Sequence, residues 1–519
     1  MSNQSLLALS AGLPILLVTG LMLAGWGGTR AGPIGWTAAI AVAVLGFGAG
    51  PELLLWSQAK GLALAVWVLY IVWSALLLAE VAGEAGAFDV SAEAVGRLTA
   101  QRDLQLLLLA WVFSAFLQGV TGFGVPVAIV APLLVGLGFP AMTAVVATSI
   151  GHSWAVTFGS VASSMYALLA VTGLEAAAIA PASAALLGAA ALACGIAVAW
   201  VGGGWPALRR AWPALAAIGS AMALAHYVLA THRSWPLASF GAASIGLAVA
   251  ALVSRLPRYR VATQAAEAVA VGDPNRDGRS MSVAAAAAPY LVLGLLVALA
   301  QLPALVPFFD ALVLELTIPA TGTRLGWTNA AGSTRGISVF GHTGALIAYA
   351  ALLAGFLHAR AGRYPTGAGR RILTRTLAAS RKPTLSIVVL VCMAQTMSDS
   401  GMTYALAEAI GRVTGSAFPL GAALIGALGA FITGSNTNSN VLFGALQQQT
   451  AALLGLNLPW VLGAQNVGGA LGSAFAPAKI VVGVSTVGLA GQEGAVLKRL
   501  LIPGLTIVLL AGLAAWALA

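Results

Sequence analysis

The sequence is poor in charged residues and almost free of cysteine. Only 8% of its 519 residues are Asp, Glu, Lys or Arg, whereas 60% are apolar. Such a chain cannot surround itself with solvated side chains, which excludes a soluble domain of any size and indicates a lipid bilayer. The two cysteines, Cys194 and Cys392, lie in separate apolar runs, so neither a disulfide framework nor a cysteine metal site is expected.

Long apolar runs recur along the whole chain. Each can cross about 30 Å of hydrocarbon, where only a helix satisfies its own backbone groups, so we expect an all-α polytopic fold. The first run has no Lys or Arg before it and is interpreted as a span rather than a cleaved signal peptide. About twelve full spans are predicted, at residues 6–26, 35–50, 59–81, 142–172, 174–201, 212–230, 235–254, 281–307, 337–357, 384–407, 460–490 and 500–519.

Two further apolar stretches are too interrupted to be simple spans. Residues 104–139 and 417–458 each carry a Gly-rich or polar break, which predicts a re-entrant hairpin that turns inside the membrane. With both treated as hairpins, nineteen of the 25 basic residues fall on one side, which is then the cytoplasm, and both termini lie outside. Making either hairpin a full crossing would abolish this asymmetry.

The other basic residues are few. Lys479 alone is expected inside a span, and the outer side receives Lys60, Arg233, Arg324, Arg335 and Arg412. The formal net charge of +10 is thus explained by orientation in the membrane, and no nucleic-acid partner is expected.

This topology makes the two hairpins enter from opposite sides, as in an inverted repeat. Residues 116–121 align with 431–436, and residues 137–140 align with 456–459. We therefore expect a single transporter domain over residues 1–519, with a first half at about 1–254 and a second at about 281–519. A broken segment at matching places in two halves is typical of a transporter's binding site.

The loops carry little chemistry. Residues 255–280 and 360–383 are predicted to be mobile cytoplasmic connections, and residues 89–103 a short surface helix. The stretch 310–336 is the hardest to place, and a partly inserted loop is one interpretation.

The two hairpin breaks supply most candidate binding residues. Freed backbone groups are tolerated at membrane depth only when they face a cavity or protein, and a helix starting near Gly124 would direct its positive end towards an anion. A packing kink is the alternative for the first break, and an aqueous loop for the second. The candidates are Gln118, Gly119, Thr121 and Gly122 in the first break, and Gly434, Ser435, Asn436, Thr437, Asn438 and Asn440 in the second.

A long span with its own break follows each hairpin. In the first half, this break contains His152 and Ser153. In the second half, two breaks are predicted, at residues 466–469, which include Asn466, and at residues 476–479. A lone ammonium in a span is costly unless it faces a cavity or a partner, so Lys479 either attracts an anionic substrate or forms a structural pair, for instance with Asp399. His152 is interpreted as a ligand or proton carrier, or as a satisfied core histidine.

Asp399 is the deepest acidic candidate. It lies in a polar stretch of its span, where a carboxylate is able to carry a proton. Pairing with Lys479 or capping a broken helix are the alternatives. Neither a cofactor nor the residue spacing of an enzyme is indicated.

The hairpin motifs resemble those of the L-lactate permease family of bacterial inner-membrane transporters. Residues 113–128 with 134–139, and 431–444 with 487–494, carry the resemblance. It implies uptake of lactate or glycolate with protons, a multi-pass position in the inner membrane and an elevator-like transport domain, and it leaves a homodimer open. Where family members carry carboxylates in the hairpins, this chain has Gln118 and Asn436.

Two coupling routes follow. The first uses Asp399, together with His152, to carry a proton. The second uses sodium at Ser435, Asn436 and Thr437, which look like the hairpin signature of sodium-coupled dicarboxylate transporters. A channel is a further alternative, but two inverted hairpins around one site suit alternating access better.

Overall fold

The computed structural model describes residues 3–122, 124–259, 281–300 and 302–519. Almost all of the secondary structure in these ranges is helical, as the apolar runs predict. The α-helices, in chain order, are α1 Asn3–Leu23, α2 Gly28–Phe47, α3 Pro51–Glu84, α4 Ala87–Gly96, α5 Arg102–Leu106, α6 Ser114–Val120, α7 Val125–Gly136, α8 Ala141–Gly151, α9 Gly159–Thr172, α10 Ala176–Ala230, α11 Ala238–Val253, α12 Val283–Leu299, α13 Val306–Phe309, α14 Thr343–Arg360, α15 Ala368–Asp399, α16 Met402–Thr414, α17 Phe418–Thr433, α18 Asn436–Leu454, α19 Leu458–Ala474, α20 Pro477–Thr486 and α21 Glu493–Leu518.

The predicted polytopic architecture is confirmed. Within the described ranges, eleven helical stretches are long and apolar enough to cross a membrane, or twelve if the pair Ala141–Ala155 and Gly159–Thr172, bent by 53°, forms one broken span. Helix α10 is itself two segments, because Gly203 and Gly204 depart from helical geometry and kink it. The predicted spans at 174–201 and 212–230 are therefore connected by helical turns rather than by a loop.

The first predicted hairpin is present. A π-helical turn, Leu107–Phe113, joins α5 to α6. The first limb of the hairpin therefore runs without interruption from Arg102 to Val120. Its second limb is α7. The Arg102 guanidinium donates to the Gly138 carbonyl oxygen at 2.6 Å, which brings the two ends of the hairpin together at one mouth.

The second hairpin consists of α17 and α18. Ser439 donates to the Gly426 carbonyl oxygen and Gln447 to that of Ala422, so the two limbs run antiparallel. Helix α10 shows that the two mouths lie at opposite ends of the molecule. Gly202 packs on Leu106 of the first hairpin, whereas Ala182 packs on Gly463, near the start of α19. These α10 positions are about 30 Å apart along a helix.

Several boundary predictions are wrong. Residues 368–383 are not a mobile connection but the first half of α15, held by ion pairs from Arg371 and Arg375 to the buried carboxylate of Glu84. The span at 384–407 is broken after Asp399, and α16 continues beyond Gly401. Residues 466–469 lie inside the unbroken helix α19. Most of the predicted 255–280 connection lies outside the described residues.

The stretch at 310–336 forms a β-ladder rather than an irregular loop. Its antiparallel strands are β1 Val313–Leu314, β2 Thr317–Ile318, β3 Thr321–Gly322, β4 Thr328–Asn329, β5 Gly332–Ser333 and β6 Ile337–Ser338, paired β1 with β6, β2 with β5 and β3 with β4. Thr323 bridges Ala49, and Trp327 contacts Gly401. The ladder thus lies across the α2–α3 and α15–α16 connections.

The helices form two packed groups. Helices α1, α2, α3, α14 and α15 form the flanking bundle, in which α3 and α15 make the most extensive contact. The hairpins, α8 to α11 and α19 to α21 form the hairpin bundle. Glycines allow the closest approach there, because a Cβ at Gly468 of α19 would overlap the Ala423 carbonyl oxygen of α17.

Because of this close approach, a methyl group added at Gly468 should lower the stability of the protein more than one added at an open glycine. We expect Gly468→Ala to destabilise the protein by about 1–3 kcal/mol, since a rigid backbone oxygen occupies the space that its Cβ needs. Gly421→Ala in α17 is the matched control, because no atom lies within 4 Å of its added Cβ. Thermal unfolding of the detergent-solubilised variants measures the difference, and equal melting temperatures would contradict the packing.

Candidate functional site

Four chain breaks meet in the hairpin bundle. They are the first hairpin tip, with Thr121, Gly122 and Gly124; the break between α8 and α9; the second hairpin tip, Gly434 and Ser435; and the break between α19 and α20. We call this meeting point the central site. The sequence predicted each of these breaks, and the structure brings them together.

The first tip rests on the α8–α9 break. Its glycines Gly122 and Gly124 have φ of 84° and 89°, which a side chain would disfavour. Ser160 donates to the Thr121 carbonyl oxygen at 3.0 Å and so satisfies a backbone group freed by the break. Gly119 has a different environment from the one expected, because it lies inside α6 and packs against Phe240 of α11.

The start of α9 is strained. Ser160, Val161 and Ala162 all have positive φ, of 48°, 52° and 61°, and all are buried. Left-handed geometry costs an L-residue roughly 1–2 kcal/mol. Such strain persists only where the surroundings impose it, and it clusters at functional sites.

The second tip is held by a network of buried amides. Asn436 donates to the Thr157 hydroxyl at 3.0 Å, and Thr157 donates to the Asn466 carbonyl oxygen. Asn440 donates to the side-chain oxygen of Asn466 at 2.9 Å, and Asn466 donates to Ser183 of α10. The side chain of Asn466 is therefore occupied at both ends by protein partners.

Other candidates also have protein partners. Thr437 and Ser164 share a hydrogen bond of 3.1 Å between hydroxyls, and Asn438 donates to Ser386 of α15. The Ser153 hydroxyl donates to the Ile150 carbonyl oxygen and lies 3.4 Å from the Cys194 sulfur. Ser435 caps α18 by accepting from the Asn438 N–H.

Buried polar atoms without a partner occur at several places among the described residues, and the α8–α9 break is one of them. The Gln118 Oε1, His152 Nε2 and Asn436 Oδ1 atoms have no hydrogen-bond partner among the described residues. All three side chains border the α8–α9 break: His152 begins it, Asn436 contacts Thr157, and Gln118 lies against Gly159. Each such atom calls for an explanation, and a group of them beside one break is suited to a small polar ligand.

Lys479 adds the positive charge at the central site. It is half-buried near the start of α20, where its ammonium donates to Ser473 at 3.0 Å. The neighbouring Ala478 lies against Gly434 of the second tip. Helices α7 and α20 also begin here, and the positive ends of their dipoles favour an anion.

Asp399 is remote from Lys479 and pairs with another lysine. The Lys60 ammonium of α3 lies 3.3 Å from both Asp399 carboxylate oxygens, which also accept from Ser57 and Gln395. The suggested Asp399–Lys479 pair is therefore wrong. Asp399 lies thirteen residues beyond Ser386, the contact of Asn438, which is about 20 Å along α15.

Lys60 also lies on a helical stretch, Pro51–Glu84, that is long and apolar enough to cross a membrane. Lys60 is the tenth residue of α3, which begins earlier than predicted because Pro51 occupies its first position. Sequence reasoning also missed Thr157, Ser160 and Gln465, which complete the network of hydrogen bonds. Only their position beside a predicted break could have indicated a role.

Comparison with known proteins identifies the family. The family model described as L-lactate permease matches residues 7–519. The chain belongs to the L-lactate permease family. It is 28% identical to an L-lactate permease of Bacillus subtilis, an alignment covering 95% of this chain and 92% of that protein. It is 27% identical to the glycolate permease GlcA of Escherichia coli, with the same coverage.

A permease family accounts for the many spans, and the chain is a transporter rather than an enzyme. An L-lactate permease of Salmonella typhimurium is 27% identical over 88% of this chain and 86% of its own length. Among solved structures, the Alcanivorax borkumensis YdaH transporter matches with a TM-score of 0.47 and 17% identity, over 89% of this chain and 87% of that chain.

The amide network predicts a specific sensitivity to Asn466. We expect Asn466→Leu to destabilise the permease by about 2 kcal/mol, since Asn440 and Ser183 would lose their buried partner. Gln448→Leu, which removes a half-buried amide bonded only to the Thr172 carbonyl oxygen, is the control. Thermal unfolding distinguishes the two, and an Asn466→Leu variant as stable as Gln448→Leu would contradict the network.

Proposed function

We propose that this permease takes up a small monocarboxylate, such as lactate or glycolate, at the central site. The observation that carries the proposal is that Gln118, His152 and Asn436, whose buried atoms lack a partner among the described residues, lie in the same bundle as the Lys479 ammonium. A carboxylate complements the ammonium and the positive helix ends, and a ligand hydroxyl complements an amide oxygen. The names of the relatives, lactate and glycolate permeases, point to the same substrates.

The proposed binding residues come from both halves of the chain. Gln118, Thr121, Gly122, His152 and Ser153 belong to the first half, with Gly119 acting through packing. Gly434, Ser435, Asn436, Thr437, Asn438, Asn440, Asn466 and Lys479 belong to the second, and in this set Asn440 and Asn466 position Asn436 through their hydrogen bonds.

We further propose that both termini lie outside a bacterial inner membrane. The count of basic residues supports this orientation, because it leaves Arg371 and Arg375 at the cytoplasmic end of α15 and the β-ladder at the outer end.

Uptake of an anion needs a coupling ion. Moving one negative charge inwards against about 100 mV costs roughly 2.3 kcal/mol, so accumulation requires a cotransported cation. Asp399 is the proposed proton carrier, since it is buried and bonded to Lys60, Ser57 and Gln395. Sodium at Ser435, Asn436 and Thr437 is the second candidate, supported by the unpartnered Asn436 Oδ1.

Removing the charge of Lys479 tests the substrate site. We expect Lys479→Gln to raise KM for L-lactate in proteoliposome counterflow about tenfold, because a charged hydrogen-bond donor to the carboxylate is lost. Lys498→Gln, an exposed lysine at the start of α21, is the control and should leave KM unchanged. An unchanged KM in Lys479→Gln would contradict the proposed role, and saturation with counterflow distinguishes a carrier from a channel.

Asp399→Asn tests the coupling route. We expect this variant to lose accumulation of lactate driven by a pH gradient while retaining counterflow exchange, because the carboxylate that carries the proton is gone. The double variant Lys60→Gln with Asp399→Asn restores charge balance. If the pair is only structural, the double variant recovers accumulation; if Asp399 carries the proton, it does not.

The coupling ion itself is measured in the wild-type permease. Accumulation should follow the proton gradient and be indifferent to sodium. Accumulation that requires sodium, with Asp399→Asn behaving normally, would replace the proton route by the sodium route.

A further inference from the structure

A charged cavity lies far from the central site. It has a volume of about 390 Å³, large enough for a small carboxylate with water, and lies between α3, the α9–α10 connection and the β-ladder. Its charged lining residues are Lys60, Glu175 and Arg335. Because Lys60 contacts Asp399, about 20 Å along α15 from the level of the second hairpin tip, the two sites are distinct.

Lys60 presents unused donors to this cavity. Among the described residues its ammonium contacts only Asp399, whose two oxygens are also served by Ser57 and Gln395. An ammonium has three N–H donors, and a single carboxylate does not occupy all of them. Lys60 can therefore hold Asp399 and still donate to an anion in the cavity.

Arg335 is fixed in place by groups that carry no net charge. Its Nη1 donates to the Leu169 and Leu174 carbonyl oxygens, and its guanidinium stacks 4.7 Å over the ring of Trp67. Its one acidic partner, Glu175, accepts at 3.2 and 3.3 Å and is 79% exposed. An ion pair with so exposed a carboxylate contributes little, so another carboxylate can replace it.

We propose that this cavity is an entry site that binds the carboxylate of a small organic anion between Lys60 and Arg335, with Glu175 as the internal competitor that the ligand displaces. The inference rests on the proposed function in taking the substrate to be a carboxylate. Arg335 offers a planar fork matched to a carboxylate, and Lys60 supplies a second charge. The site collects the substrate at the proposed outer end before it reaches the central site.

The alternative is that the Arg335–Glu175 pair only ties the β-ladder to the α9–α10 connection. The two interpretations predict different changes in KM for the two variants. A structural ion pair is lost equally when either partner is removed, so Glu175→Gln and Arg335→Gln should then behave alike. An entry site loses its anchor in Arg335→Gln but loses its competitor in Glu175→Gln.

The test measures initial rates of uptake against external L-lactate in right-side-out vesicles. We expect Glu175→Gln to lower KM about threefold and Arg335→Gln to raise it about tenfold, with kcat unchanged in both. Arg324→Gln, an exposed arginine of the same β-ladder, is the control and should leave KM unchanged. Shifts of the same sign, or none, in the two cavity variants would overturn the entry site.

A binding measurement separates this inference from the proposed function. Isothermal titration of L-lactate into the purified full-length Lys479→Gln variant, whose central site is weakened, should show binding that Arg335→Gln abolishes and Glu175→Gln strengthens. Suppose that the wild-type permease does not transport lactate, but that the Arg335 and Glu175 variants change lactate binding as expected. The proposed function then fails and the entry site stands. If Arg335 has no effect on binding, the entry site fails whatever the transport result.

Discussion

The structure depends on one constraint, namely that every backbone polar group inside the hydrocarbon must find a partner in the protein. Four breaks in one small region free many such groups at once. Neighbouring side chains supply the partners: Ser160 bonds the first tip within the first half, and Thr157 of the first half connects the second tip to α19. The breaks must therefore lie together, because none of them would be satisfied alone in lipid.

This constraint explains why the hairpins could be predicted from the sequence. Gly-rich and polar breaks inside apolar runs stand out, and the distribution of Lys and Arg excludes a full crossing at either one. The limbs, the tips at Gly122 and Gly434 and the breaks near His152 and Lys479 follow from local composition. These features account for the architecture and for the location of the central site.

Other features depend on tertiary partners that no local pattern reveals. The charges in the first half of α15 favour a loop in the sequence, whereas in the fold Glu84 of α3 holds this segment as a helix. The sequence places Lys60 on the outer side, near the start of an apolar run, and only the fold shows Asp399 beside it. The β-ladder is made of two-residue strands, too short for any alternation of side chains to be recognised.

The charged groups are divided between the two bundles. Lys479 lies in the hairpin bundle with the unpartnered amides, whereas Lys60 and Asp399 lie in the flanking bundle. The proposed substrate site and the proposed coupling site are therefore not in direct contact. Communication between them has to involve the surfaces where α3 meets α9 and α15 meets α18.

The glycine contacts between α17 and α19 also limit how the permease can alternate. Gly426, Gly468 and Gly472 bring the two backbones so close that neither helix can slide past the other without a clash. The second hairpin is consequently a poor sliding gate, because it cannot shift along α19 by itself. Hairpin, α19 and the amides between them would travel as one rigid body, and the surface that slides is the one facing the flanking bundle.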